Sequence, residues 1–266
     1  MTLEAALPAA VRRDRIAALV TQQGFVRVTD LHDRFGISEV TLRADLDALA
    51  DADILQRIHG GAIANQGSRR AELPFEQVSL AGAAQKRAIG IEAASLVSSG
   101  QAIVLDVGTT TTAIAAALMD RSDLTDVVVI TNALNIALAL EAAIPRFTVI
   151  VTGGTLRPLQ HSLVDPLAGV VLDRVRADIA FIGCSGVDAE IGISNVNLPE
   201  ADVKRRMLAA AVRKIVVADS SKLGLSYHSR FASLAEVDGL ITDADAAPEE
   251  VAKLQRAGLA VTRAVS

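Results

Sequence analysis

Tryptophan is absent from this chain, tyrosine occurs once, and aromatic residues together make up only 3% of it. So few flat rings argue against binding single-stranded nucleic acid by base stacking. Cysteine occurs once, as Cys184, which excludes an internal disulfide framework and fits a reducing cytoplasm. The four histidines, at 32, 59, 161 and 228, are too scattered to gather a metal ion, and no cofactor motif is present. Long apolar runs are missing as well. The longest uncharged stretch, Val127 to Leu140, contains Asn132 and Asn135 and is too short and too polar to span a bilayer. Near the N-terminus Glu4 precedes a weak apolar run, with Arg12, Arg13 and Arg15 after it, the reverse of a secretory signal.

What remains is aliphatic and mildly acidic. With 266 residues, 51% of them hydrophobic, and a formal charge of −5, the chain has room for one small and one larger domain.

The small domain is expected at residues 1–64. Val28, Leu31 and Phe35 fall three and four apart, as do Leu42, Leu46 and Leu49, so two short helices each carry one buriable stripe. Gly36 supplies the turn between them, and Ser38 caps the second helix. Leu55 to Ile58 reads as a strand, and His59-Gly60-Gly61 as the tip of a hairpin. This is the plan of a winged helix-turn-helix, which points to double-stranded DNA, with Ser38 to Ala44 as the end that enters the major groove. Rotating about 100° per residue from Leu42 turns Val40, Ala44 and Asp47 away from the buried stripe, with Arg43 on its flank. Val40 and Ala44 then suit thymine methyls, Thr41 a phosphate or base edge, and Arg43 a guanine or a phosphate; Arg57 and His59 lie over phosphate or minor groove. Against this, residues 1–62 hold seven arginines, no lysine and nine acids, whereas DNA readers are usually basic. The arginines at 12, 13, 15, 43, 57, 69 and 70 cluster where backbone contacts would be needed, and two copies on one site would double those contacts. Self-association as a dimer or tetramer is therefore expected.

A linker is expected at 65–77, where Gly67, Ser68 and Pro74 break both periodicities. From 78 to 266 the chain alternates short apolar runs with Ala-rich helical stretches, as expected for an α/β domain with a mostly parallel sheet. The runs are Gln101 to Leu105, Val127 to Ile130, Phe147 to Val151, Ile179 to Ile182, Ile215 to Ala218 and Gly239 to Ile241; one helix is expected over Glu200 to Val212.

Ligands of such sheets collect beyond the carboxyl ends of the strands. After the first run comes Asp106-Val107-Gly108-Thr109-Thr110-Thr111-Thr112, a Gly and four hydroxyls opening a helix, which suits a phosphate. It lacks the lysine and spacing of a nucleotide-triphosphate loop. Asn132, Gly153, Gly154, Gly183 and Lys222 follow the other runs, with Lys222 offering positive charge. Asp106 suits a sugar hydroxyl or a loop cap. Glu200 and Lys204, four apart, border the pocket or form an exposed helix pair.

The segments ISEVTLRADLDAL, RIHGGA, AIVLDVGTTT, VITNALNIA, VTGGTLR, AFIGCSGVD, EADVKRRM and ADSSKLG, in this order along nearly the whole chain, resemble the DeoR type of bacterial transcription regulators. The resemblance implies an N-terminal winged helix-turn-helix and a sensor with the fold of ribose-5-phosphate isomerase and coenzyme A transferases. Such proteins usually repress sugar or nucleoside catabolism operons and leave DNA when a phosphorylated intermediate binds. By that likeness Arg43, Arg57 and His59 fall at DNA-contacting positions, and Asp106, Gly108, Thr109, Thr110 and Lys222 at effector positions. Ala44 stands where many relatives carry a second arginine, Asp165 where Gly is common and Ser194 where Thr is frequent. A different class also fits the residues: a sugar-phosphate isomerase with an accessory helix-turn-helix, its base drawn from Asp106, Glu200 or Asp243.

Overall fold

The computed structural model describes residues 8–23, 25–52, 54–58, 60–64 and 72–265, and the chain divides into two compact units, Met1–Leu73 and Pro74–Ser266. No described helix is long and apolar enough to cross a membrane.

The first unit runs α1 (Ala9–Gln23), β1 (Phe25–Arg27), α2 (Val28–Phe35), α3 (Glu39–Asp51), β2 (Leu55–Ile58) and β3 (Gly61–Ala64). Both expected stripes are buried, Val28, Leu31 and Phe35 on α2 and Leu42, Leu46 and Leu49 on α3. They meet Ile16 and Val20 of α1 in one core, each such side chain contributing roughly 1.5–3 kcal/mol on burial. Gly36 closes α2 in the left-handed conformation, φ 66°, and its amide bonds back to His32 O; a side chain there would be strained. The Ser38 hydroxyl accepts from the Thr41 amide at 3.3 Å and starts α3 where the sequence suggests. β2 and β3 pair antiparallel as a hairpin, and β1 adds to β3 in the order β1-β3-β2, which makes the wing.

Among the described residues of this unit one acid is buried. Asp45, 2% exposed on α3, accepts from Arg12 Nε at 2.6 Å and Arg13 Nε at 2.9 Å. This corrects the expectation that these two arginines lie free for DNA backbone. They neutralise an acid that the stripe pattern could not reveal, because Asp45 sits beside Leu46 on the inward face.

The second unit opens with α4 (Phe75–Leu80) and α5 (Ala83–Ser95). The helix α4 takes up the last three residues of the expected linker: Pro74, read as a breaker, has φ −55° and leads directly into it. The order continues β4 (Ala102–Leu105), α6 (Thr109–Asp120), β5 (Val127–Thr131), α7 (Leu134–Leu140), β6 (Phe147–Val151), β7 (Thr155–Arg157), β8 (Ser162–Val164) and α8 (Leu167–Leu172). Then come β9 (Ala177–Gly183), β10 (Gly186–Asp188), β11 (Gly192–Asn195), α9 (Leu198–Ala209), β12 (Ala211–Val217), β13 (Ser229–Ala232), β14 (Gly239–Asp243), α10 (Pro248–Arg256) and β15 (Val261–Ala264).

Seven of these strands form one parallel sheet in the order β15-β14-β12-β9-β4-β5-β6. Successive side chains of a strand face opposite ways, so Ile103 and Leu105 enter one core with α5, α6 and α7, and Val104 enters the other with α8, α9 and α10. All six expected runs are strands of this sheet. The helix expected to reach Val212 stops at Ala209, since Ala211 already pairs with Ala177 of β9. Val212 and Arg213 in the amino half of β12 are exposed and Lys214 is half-buried, so the continuous apolar signature of a doubly covered strand begins only at Ile215. A small antiparallel sheet, β10-β11-β13, and the hairpin β7-β8 complete the unit.

Chain order fixes where a ligand belongs. From β4 the chain steps outward through β5 and β6, then returns to the other side of β4 at β9. The order reverses between β4 and β9, and the crevice beyond their carboxyl ends is where open α/β sheets bind ligands.

Candidate functional site

On the first unit, the amino-terminal turn of α3 is an open surface. Val40 is 75% exposed, and Thr41, Arg43, Ala44 and Asp47 are exposed beside it, as the helical rotation requires. The Ser38 and Thr41 hydroxyls hydrogen-bond each other at 2.9 Å. Arg43 bends back to Glu39, Nη2 to Oε2 2.7 Å, an exposed pair one helical turn apart that a stronger partner can displace. Arg57 on the wing strand is held by Asp47, Nε to Oδ1 3.0 Å, while its Nη1 has no hydrogen-bond partner. Reading by residue type placed Arg57 over phosphate or minor groove and did not foresee this tether. His59 lies outside the described residues.

On the second unit, Asp106 follows β4 into the switch-point crevice and is fully buried. Its Oδ2 accepts from the Gly183 amide at 3.0 Å and from the Lys204 ammonium, which comes from α9. Its Oδ1 is buried without a hydrogen-bond partner. Burial pushes the Asp106 carboxyl up to about 6, against the pull of Lys204. For Lys204 burial favours the neutral amine, but Asp106 and Glu200 outweigh it and raise the pKa. Glu200 and Lys204 are therefore no exposed helix pair: both are buried, and they bond to different partners. Glu200 Oε1 accepts from Ser162 Oγ at 2.6 Å and from Arg157, and Oε2 from Asn195 Nδ2 at 3.4 Å. The Asn197 side chain caps α9 by accepting from the Glu200 amide at 3.1 Å.

Beside Asp106, α6 begins at Gly108 with no side-chain cap. The Thr111 and Thr112 hydroxyls turn back onto Gly108 O at 2.9 and 2.8 Å, which leaves those of Thr109 and Thr110 at the head of the helix. First-turn amides, a dipole end and two hydroxyls gathered at one point suit a phosphate. Lys222, half-buried in the turn after β12, lies within electrostatic reach of Cys184 at the end of β9, whose thiol burial pushes up to about 12.

Other expected site residues serve the frame. Asn132 Oδ1 accepts from Val107 N at 3.0 Å and Nδ2 donates to Leu163 O at 3.1 Å, so its amide is spent pinning the Asp106 loop to β8. Gly154 is needed for close approach, since a Cβ there would stand 2.2 Å from Val164 O, and Gly153 precedes it with φ 70°. Arg157, Ser162 and Asn195 escaped the reading by strand ends because they lie on the β7-β8 hairpin and on β11, outside the main sheet. The only sequence hint was the arginine closing VTGGTLR.

Residues 12–67 match the DeoR-like helix-turn-helix domain, and residues 82–244 match the DeoR C terminal sensor domain. The chain belongs to the DeoR family. The chain of this DeoR regulator is 36% identical over 251 residues to a protein of Escherichia coli O157:H7 described as a putative aga operon transcriptional repressor, covering 94% of this chain and 92% of that one. It is 30% identical over 233 residues to the glycerol-3-phosphate regulon repressor of Escherichia coli K12, covering 88% and 90%. Among solved structures, ribose 5-phosphate isomerase from Plasmodium falciparum aligns with a TM-score of 0.37 at 19% identity, over 52% of this chain and 51% of that one. That likeness is too distant to carry an argument. The DeoR chain is thus a DNA-binding transcription regulator with a sensor domain.

Proposed function

We propose that this regulator is a repressor of a carbohydrate or nucleoside operon that leaves its operator when a phosphorylated sugar enters the crevice between β4 and β9. The observation that carries the reading is the join of two groups there: an uncapped helix head with the Thr109 and Thr110 hydroxyls, and Asp106 with one buried oxygen left without a donor. The first takes a phosphate, and the second accepts from a sugar hydroxyl. Gly108 and Thr111 shape the helix head, Lys222 adds positive charge, and Gly183, Lys204 and Glu200 hold the floor. Asn132, Gly153 and Gly154 keep the surrounding loops in place. Ser38, Val40, Thr41, Arg43 and Ala44 meet the major groove, and Arg57 and His59 also contact the DNA. Two copies, each reading a half-site, give the spacing that helix-turn-helix operators require, as a dimer or a tetramer in the cytoplasm.

We read the crevice as a sensor and not a catalyst, because its carboxylates are committed. Asp106 pairs with Lys204, Glu200 with Arg157 and Ser162, and Asp243 accepts from the amides of Ser220 and Asp245 at 2.6 and 3.0 Å. Glu200 and Asp243 have both oxygens engaged, and the one open oxygen of Asp106 is the group this reading gives to a sugar hydroxyl.

A thermal-shift panel of sugar phosphates, with gel shifts on DNA selected by the protein from a random library, tests both halves. A compound that raises the melting temperature should also release the DNA. A panel with no stabilising phosphate, or a stabilising one that leaves DNA binding unchanged, would reject the reading.

A further inference from the structure

Helix α4 is tied at both ends to residues that border the crevice. At its start, Glu76 Oε1 meets His161 Nε2 at 2.8 Å, and the Phe75 ring stands edge-on to the His161 ring at 5.5 Å. His161 is the residue before Ser162, which bonds Glu200, and its carbonyl accepts from the Leu134 amide at 3.0 Å. At the far end, the Lys86 ammonium donates to Val78 O and Ala81 O. Lys86 is 4% exposed and lies within electrostatic reach of Asp219 and Lys222. Between these ties α4 packs on α6.

The placement of α4 follows from the direction of its neighbours. Both α5 and α6 lead into parallel strands, so both start at the carboxyl edge of the sheet, and Gly90 of α5 lies against Ala113 of α6 with no room for a Cβ. Lys86, one turn before Gly90, therefore sits level with the head of α6. Burial lowers the Lys86 pKa to about 8, the cost of keeping a lysine inside. A surface residue would avoid that cost, so the two carbonyls it holds give it a purpose.

We propose that α4 is a strap across the head of α6, held by Lys86 and His161, and that an anion entering there must displace it. In sequence the strap is the first helix of the sensor unit and follows directly on the DNA-reading unit. Closed strap and bound DNA then go together, as do open strap and bound anion, and any change that loosens the strap favours the second pair. This regulation rests on the reading of the crevice given above.

The test uses the full chain, library-selected DNA, and inorganic phosphate, glycerol 3-phosphate and ribose 5-phosphate as probes. In the wild type, a probe that binds should speed amide hydrogen exchange across 75–81. In Lys86→Met that exchange should be fast without any probe, probe affinity should rise about three- to tenfold, and DNA affinity should fall, since the first follows the open fraction and the second the closed one. His161→Ala, which cuts the exposed end, should move all three in the same direction if Lys86→Met fails to fold. Exchange across 75–81 that ignores a bound probe, or variants that bind probe no tighter than the wild type, would overturn the strap while leaving the crevice standing. Weaker probe binding in Lys86→Met with His161→Ala unchanged would make Lys86 a ligand-binding group and also sink it. If no probe binds the wild type, the crevice reading fails and the strap falls with it.

Discussion

Lys204 and Asp106, 98 residues apart in sequence, form a buried ion pair that joins α9 to the loop after β4 at the point where strand order reverses. Removing one partner strands a charge that water cannot reach. Lys204→Met should therefore cost about 3–5 kcal/mol of unfolding free energy, measured by urea titration, and adding Asp106→Asn should recover much of it. Additive losses would show that the two groups do not depend on each other.

The same carboxyl gives a pH response. Its folded pKa of about 6 is above the ordinary value of 3.8, so the stability it contributes is complete below that ordinary value and is lost as pH rises through about 6. Protonation also removes a negative charge beside Lys204. Sulfate, whose own charge is constant in this range, should bind more tightly as pH falls through 6, and Asp106→Asn should abolish that dependence in calorimetric titrations. A pH-independent wild type would place the anion away from Asp106.

At the head of α6, Thr110→Asp sets a carboxylate against the site where we propose the phosphate binds. Sugar-phosphate stabilisation should vanish in a thermal-shift assay, while DNA binding persists and no longer responds to the effector. A variant that still releases DNA would move the phosphate elsewhere.

On the DNA side, Arg43→Ala removes only an exposed intrahelical pair from the free protein, so stability should change by no more than about 0.5 kcal/mol. Operator affinity should drop by about 1–3 kcal/mol in a gel shift if Arg43 reads a base. Unchanged affinity would take it out of the interface.

Much of this is legible in the amino-acid sequence. The stripes of α2 and α3, the Ser38 cap and the six apolar runs of the sheet follow from periodicity, because burial on one face or two leaves a repeating mark. The head of α6 was legible from Gly108 and its threonines. The Glu200 cluster was not: Arg157, Ser162 and Asn195 come from a hairpin and a strand whose short lengths carry no period, and only the fold brings them to α9. Nor was the fate of Arg12 and Arg13, since a pattern of spacings shows which side chains face inward but not which charge awaits them. Lys86 was hidden by habit, a lysine on a helix being usually a solvated one.

The pairing of Asp45 with Arg12 and Arg13 sets the limits of a portable reader. Cutting the chain just ahead of β1 would keep both helices of the turn and the three-stranded wing, yet leave the acid of α3 with nothing to neutralise it. A chimera that borrows this reader for another sensor has to begin upstream of Arg12, so the first helix travels with the cassette as its counter-charge.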